Sequence, residues 1–283
     1  MSAFRVALIT GGASGIGLGV AEGLLAQKGW RVYLLDRNVK AFENLNPEIK
    51  AATNFRNIDV ADYDSLATVF KDIYVHEGRI DFVFANAGIG GALDFYETKD
   101  EIAPPPKPNI SAIDVNLNSV CYTTYLAAHY FKLQKLEDAS VVITVSEAGL
   151  YPVIFAPVYT ASKHGLIGFL RAVAPVLIDH KIRVNAICPG TVPTPILPPE
   201  LLKLWPEEIH TPLSNVVKTV LALVDGKEMT DAVGTKVSAD RLYGQTVELS
   251  VDKIYFRSQP EYCDEASKQV SHIVNSFTEA TSL

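Results

Sequence analysis

Cysteine is scarce. The three in 283 residues, Cys121, Cys188 and Cys263, supply neither the even count of a disulfide framework nor a CxxC or Cys/His pattern at metal-ligand spacing. A reducing compartment is expected, with the cytoplasm the simplest location. The six histidines contain no HExxH spacing, so no metal is expected, and Ser146 lacks the G-x-S-x-G elbow of a serine hydrolase. A basic excess is also missing: the formal charge is −7 and the lysines are dispersed from Lys28 to Lys268, which excludes a phosphate-backbone binder. No run approaches the ~18 uninterrupted apolar residues of a membrane span. The opening stretch from Phe4 to Thr10 is too short for a secretory core, and Thr281-Ser282-Leu283 lacks the basic middle residue of a peroxisomal address.

What is present fits an ordinary globular chain. Hydrophobic residues make up 48% and charged ones 20%, which leaves no room for collagen-like, coiled-coil or disordered readings. The length suits one large α/β domain. Apolar, β-branched runs near 4–10, 31–35, 53–58, 81–85, 140–145, 182–187 and 245–250 read as strands. Longer amphipathic stretches near 15–28, 62–77, 110–135, 158–179 and 212–224 read as helices between them, the pattern of a doubly wound parallel sheet. Prolines interrupt it at Pro104–Pro108 and from Pro189 to Pro212, which predicts two surface loops without regular structure. The second is long enough to be a functional segment near 190–212. The tail, 252–283, reads as a strand edge and a helix from Glu261 to Phe277.

Seven of the eighteen glycines fall in the first 29 residues, and strand 4–10 runs into Thr10-Gly11-Gly12-Ala13-Ser14-Gly15-Ile16-Gly17 ahead of a helix. Glycine there lets the backbone approach a pyrophosphate, and the helix offers unpaired N–H groups to the anion. Tight turns use the same residue, so this cluster decides nothing by itself. Nineteen residues after Gly17, Asp36 ends a strand, where its carboxylate can accept from an adenosine ribose hydroxyl and repel a phosphate in its place. NAD is expected over NADP, with Arg37 next door as the counter-argument. Tyr159 and Lys163 stand four apart, as neighbours on one helix face.

The run from Thr10 to Gly17 resembles the cofactor fingerprint of the short-chain dehydrogenase/reductase family, a single-domain Rossmann fold, and further matches follow in family order. Asp59-Val60 is similar to the pair that contacts adenine. Asn86-Ala87-Gly88, preceded by Ala85, resembles the NNAG motif with its first Asn replaced. Pro189-Gly190, Val192 and Thr194 resemble the segment holding the nicotinamide carboxamide. Ser146, thirteen residues before Tyr159, completes with Lys163 an arrangement like the family's Ser, Tyr, Lys set, and Asn116 matches the fourth member. The whole-chain pattern looks most like the 15-hydroxyprostaglandin dehydrogenase-like members and fungal biosynthetic enzymes of that type.

The resemblance implies that Tyr159 is the acid and base, that Lys163 favours the phenolate and holds the nicotinamide ribose, that Ser146 binds the substrate oxygen, and that Asn116 holds a water leading from Lys163 to solvent. A free phenol, with pKa ~10, is a poor base at neutral pH, so a neighbouring cation is what the chemistry needs. The expected reaction is NAD-dependent interconversion of a secondary alcohol and a ketone. Competing readings are NADPH-dependent reduction, an isomerase or cyclase step, and a nucleotide sensor without turnover, which the four-residue set disfavours. Leu150, Tyr151, Val153, Ile154 and Phe155, with Ile196, Leu197, Leu201, Leu204 and Trp205, predict walls for a bulky, apolar, uncharged alcohol or ketone. A homodimer or homotetramer is expected from the family, although Pro175 should kink the helix that begins near Tyr159.

Overall fold

Apolar strands alternate with helices from the first described residue to Ser250, and the chain folds accordingly. The computed structural model describes residues 4–91, 94–97, 104–134, 136 and 138–280, so Lys135 at the end of a predicted helix and the C-terminal tripeptide 281–283 lie outside the described residues. In order come β1 (Arg5–Thr10), α1 (Gly15–Gln27), β2 (Trp30–Asp36), the short α2 (Val39–Glu43) and α3 (Pro47–Ala52), β3 (Thr53–Asn57), α4 (Tyr63–Glu77) and β4 (Phe82–Ala85). Next are α5 (Ser111–Ile113), a π-helical turn Asp114–Asn118, α6 (Ser119–Gln134), β5 (Ala139–Thr144), α7 (Pro157–Leu177) and β6 (Ile182–Pro189). The chain continues with α8 (Pro199–Leu202), α9 (Leu213–Asp225), the hairpin β7 (Met229–Thr230) and β8 (Lys236–Val237), β9 (Thr246–Ser250), β10 (Lys253–Phe256) and α10 (Glu265–Ala280).

Eight strands form one sheet in the order β10-β9-β6-β5-β4-β1-β2-β3. Seven are parallel, and β10 adds an antiparallel edge on β9. The order reverses between β1 and β4, which opens a crevice beyond their carboxyl ends. Helices cover both faces. Val6 and Leu8 of β1 therefore join a core with residues of α4, α6 and α7, while Ala7 and Ile9 join one with α1 and α9. The central strands β5 and β6 are buried at every position, which is why they read as continuous apolar runs rather than as alternation. Local signals set the helix ends: the Asp62 carboxylate accepts from the N–H groups of Asp64 and Ser65, and Gly78 closes α4 at φ +72.

Two expectations need correction. The proline-rich run after β6 does contain helix, α8 and a 3₁₀ turn at Glu207–Ile209, because Pro199 opens the first and Pro206 precedes the second. These are positions where the missing N–H has no helical partner to lose. Helix α7 holds Pro175 in its last turn, ends at Leu177 and continues as a 3₁₀ turn. The predicted helix 110–135 is broken by the π turn, and the insertion between β2 and β3 folds into two short helices. The segment Pro157–His180 is long and apolar enough to cross a membrane by composition, but here it packs Ser162, Lys163, Leu166 and Leu170 onto the sheet.

Beneath this fold, one buried carboxylate anchors the amino end of the switch. Asp81, 3% exposed, accepts from the Val6 N–H at 2.7 Å and pairs bidentately with Arg79, whose pKa it raises. Asp81→Ala strands both donors and is expected to lower stability by about 2–3 kcal/mol. Asp81→Asn, which keeps an acceptor for Val6, should lose less; urea denaturation of the two variants checks the order.

Candidate active site

The glycine turn between β1 and α1 is closed from two sides. Gly11 has φ +64, and a Cβ there would lie 2.9 Å from the Ala87 Cα; Gly17 lies so near the Gly11 carbonyl that a Cβ would stand 2.2 Å from its oxygen. Ser14 occupies the N-cap of α1 without spending its hydroxyl on a capping bond, and no acidic residue stands in the first turn. The first helical N–H groups, around Ile16 and Gly17, and the Ser14 hydroxyl are thus free for an anion. Across the turn, a Cβ on Gly15 would meet Thr194 at 3.2 Å, so the segment after β6 folds over the loop. This backbone cradle, left open by missing side chains, fits the pyrophosphate of a dinucleotide.

Asp36 ends β2 beside the cradle. One carboxylate oxygen accepts from the Ala13 N–H at 3.0 Å and the other from the Asn38 N–H at 2.9 Å, so the side chain braces the glycine turn. Arg37 next to it is exposed. After β3, the Asp59 carboxylate is spent on the Ala61 N–H at 3.0 Å, while Val60 is buried.

At the switch point, Thr10 and Asn86 clamp the ends of three strands. The Thr10 hydroxyl accepts from the N–H groups of Asn86 and Ala87 at 2.9 and 3.1 Å and donates to the Phe84 carbonyl at 3.2 Å. The Asn86 amide donates to the Thr10 carbonyl at 3.1 Å and accepts from the Thr144 hydroxyl at 3.0 Å. Neither Thr10 nor Thr144 stood among the predicted site residues, and Asn86 works through this clamp. The one sequence signal was Thr10's place at the head of the glycine run.

Ser146, Tyr159, Lys163 and Asn116 come together at the end of β5. Lys163, 3% exposed, donates to the Thr144 carbonyl at 2.9 Å, and its Nζ lies 5.7 Å from the Tyr159 ring centre. Ser146 turns the chain into a 3₁₀ helix, its Oγ accepting from the Ala148 N–H at 3.1 Å. Asn116 sits in the π turn, fully buried, a distortion that often marks functional positions. It accepts from the Ile89 N–H at 2.8 Å and donates to the Ile89 carbonyl at 3.0 Å and the Ser162 Oγ at 3.2 Å; Ser162 in turn donates to the Tyr159 carbonyl at 2.7 Å. These bonds tie Asn116 to the loop after Gly88 and to the helix carrying Tyr159, rather than to Lys163. Ser162 was missed although it stands between Tyr159 and Lys163 in sequence.

Burial dominates the electrostatics of the site. Burial raises the Tyr159 pKa; a hydrogen bond with Ser146 works the other way, and Glu147 adds a further upward push. The Lys163 ammonium, turned to the Thr144 carbonyl, is pushed down to about 8 by burial. Of the residues expected to wall the substrate, Tyr151, Ile154, Phe155, Ile196 and Leu204 are exposed, whereas Leu150 is partly buried and packs against the core. Pro189 ends β6, Gly190 donates its N–H to the Leu249 carbonyl at 3.0 Å, and Val192 is buried beneath the segment that carries Thr194. Among the described residues no group of side chains could hold a metal, and all three cysteines are free thiols.

Comparison with known proteins agrees with this geometry. The family model described as short chain dehydrogenase matches residues 5–203. The chain is 37% identical over 267 residues to the short-chain dehydrogenase/reductase prx7 of Penicillium rubens, covering 90% of this chain and 94% of that protein. It is 34% identical over 269 residues to 15-hydroxyprostaglandin dehydrogenase [NAD(+)] of Bos taurus, covering 89% and 94%. The crystal structure of levodione reductase superposes with a TM-score of 0.70 at 24% identity, covering 88% of this chain and 97% of that one, a likeness of fold. The chain therefore belongs to the short-chain dehydrogenase/reductase family and is a short-chain alcohol dehydrogenase/reductase.

Proposed function

We propose that this enzyme interconverts a secondary alcohol and its ketone on a bulky, largely apolar small molecule with NAD, and that Tyr159 is its acid and base. The observation that carries this reading is the convergence of Tyr159, Ser146 and Lys163 at the end of β5, beside the turn Asn86-Ala87-Gly88 and across from the glycine cradle. Residues 190–212 would wall the substrate side and the tail 252–283 would extend past the single domain. Exposed Tyr125 and Leu133 on α6 fit a homodimer or homotetramer, and the free thiols fit the cytoplasm.

When bound, the nicotinamide supplies the hydride acceptor or donor. The chain's own residues govern the proton. In oxidation the Tyr159 oxygen takes the carbinol proton, and in reduction it returns one to the ketone oxygen. Ser146 donates to the same substrate oxygen and stabilises charge as it develops. Lys163 places a cation under Tyr159 and faces the ribose side through the Thr144 end of β5. Asp36 would accept from the adenosine ribose hydroxyls with its remaining lone pairs. The exposed Arg37 beside it favours a second reading, reduction with NADPH.

Three variants test these roles. Tyr159→Phe is expected to keep dinucleotide binding and to lose ~10²–10⁴ of turnover on apolar secondary alcohols; fluorescence titration and steady-state rates check both halves. Wild-type enzyme should use NAD better than NADP, and Asp36→Ala should narrow the gap in kcat/KM, since the repulsion of a ribose phosphate is gone; a wild-type preference for NADP would favour Arg37 instead. Lys163 releases its proton at about 8 when folded, against 10.5 when free, so the folded chain binds fewer protons in that window and stability rises with pH across it. Below the window the cost of the buried charge is complete. Lys163→Met should therefore stabilise the ligand-free protein at neutral pH by about 1–3 kcal/mol while abolishing turnover. The gain should shrink as pH rises through the window in urea melts.

A further inference from the structure

Glu147 follows Ser146 directly, and its place in the crevice conflicts with a purely apolar substrate. A Cβ on Gly190 would lie 3.3 Å from its Oε2, so the carboxylate spans from the end of β5 to the start of the segment after β6. That puts it at the exposed rim of the crevice, between Ser146 and the segment after β6. No hydrogen bond or ion pair engages its carboxylate among the described residues. The neighbouring acid is different: Glu248 on β9 pairs with Arg257 at 3.3 Å and accepts from the Tyr151 hydroxyl at 3.3 Å, and Arg257 also donates to that hydroxyl at 3.0 Å. Arg257 is thereby engaged by Glu248 and Tyr151. Glu147 is left as a solvent-facing acceptor directly after Ser146.

We propose that Glu147 determines specificity by accepting a hydrogen bond from a second hydroxyl of the substrate, on a carbon next to the reacting carbinol, and by rejecting an anionic group at that position. This inference rests on the oxidoreductase reading of the same site and narrows its substrate to an apolar skeleton carrying neighbouring oxygens. The chemistry is one-sided. A carboxylate can only accept, so a neighbouring hydroxyl satisfies it, a methyl leaves it desolvated without a partner, and a carboxylate repels it. Local desolvation and the nearby Glu248 carboxylate raise the Glu147 pKa, which agrees with a site lacking a compensating cation. Tyr159 feels the same charge, which places Glu147 within electrostatic reach of the phenol.

The test compares four secondary alcohols of one size class: indanol, its neighbour-methylated and neighbour-hydroxylated forms, and mandelate, which carries a carboxylate beside the carbinol. Wild-type enzyme should prefer the vicinal diol to the methyl analogue by about tenfold or more in kcat/KM, chiefly through KM, because the bond exists before and during reaction. Glu147→Leu should bring that ratio to within about twofold of unity. Glu147→Gln should keep much of it, since the amide oxygen still accepts, and should raise relative turnover of mandelate about tenfold. Glu147→Ala serves in place of the leucine variant if that protein does not fold. A diol preference that survives Glu147→Leu, or a mandelate rate unmoved by Glu147→Gln, overturns the assignment and leaves the oxidoreductase reading standing. Turnover of none of the alcohols with either dinucleotide overturns both. An aminoindanol preferred to the diol overturns the hydroxyl in favour of a cation.

Discussion

The ammonium of Lys163 is buried, has no carboxylate partner among the described residues, and is held by the carbonyl at the end of β5. Taking a charge out of water is costly, and a single backbone acceptor offsets only part of that cost. The bond to Thr144 therefore works as a positional constraint more than as a source of stability. It pins the first turns of α7 against the central strand. Tyr159, one turn earlier on the same face, is thereby directed at Ser146. The downward shift of Lys163 and the upward shift of Tyr159 have one origin, exclusion of water from the junction of α7 and β5.

Around that junction the structure accounts for polar groups that the parallel sheet leaves open. Strand ends at a switch point carry N–H and C=O groups with no ladder partner, and such groups must be paired where water is excluded. Thr10, Asn86 and Thr144 pair them across β1, β4 and β5, while Asn116 pairs both polar groups of Ile89 and reaches α7 through Ser162. The crevice is built by satisfying backbone groups, and the acid-base residues are mounted on that frame. The π turn at Asn116 makes room for an amide where a regular helix would present a different face.

Charge is distributed unevenly over the crevice. Ile154, Phe155 and Ile196 are exposed apolar side chains, whereas Glu248, Tyr151 and Arg257 form an engaged polar set and Glu147 stands exposed directly after Ser146. Affinity can come from the apolar groups and orientation from the polar ones, the usual division in a small-molecule site.

Much was legible in the residues themselves. Continuous apolar runs marked the central strands because helices cover both faces, and the glycines before α1 marked a cradle because a side chain there would collide with backbone. Tyr159 and Lys163 could be paired because helical spacing brings such residues together. Helical spacing could not show that Lys163 bonds the Thr144 carbonyl, that Asn116 lies in a π turn, or that Leu150 packs against the core. Those facts depend on which strand end meets which helix. Composition predicted an apolar crevice, since most residues of the two loops are apolar; only the fold brings the Glu147 carboxylate next to Gly190. The side-chain types and their local spacing are properties of the sequence alone, whereas the pairing of buried polar groups between distant segments arises only when those segments have packed and excluded water.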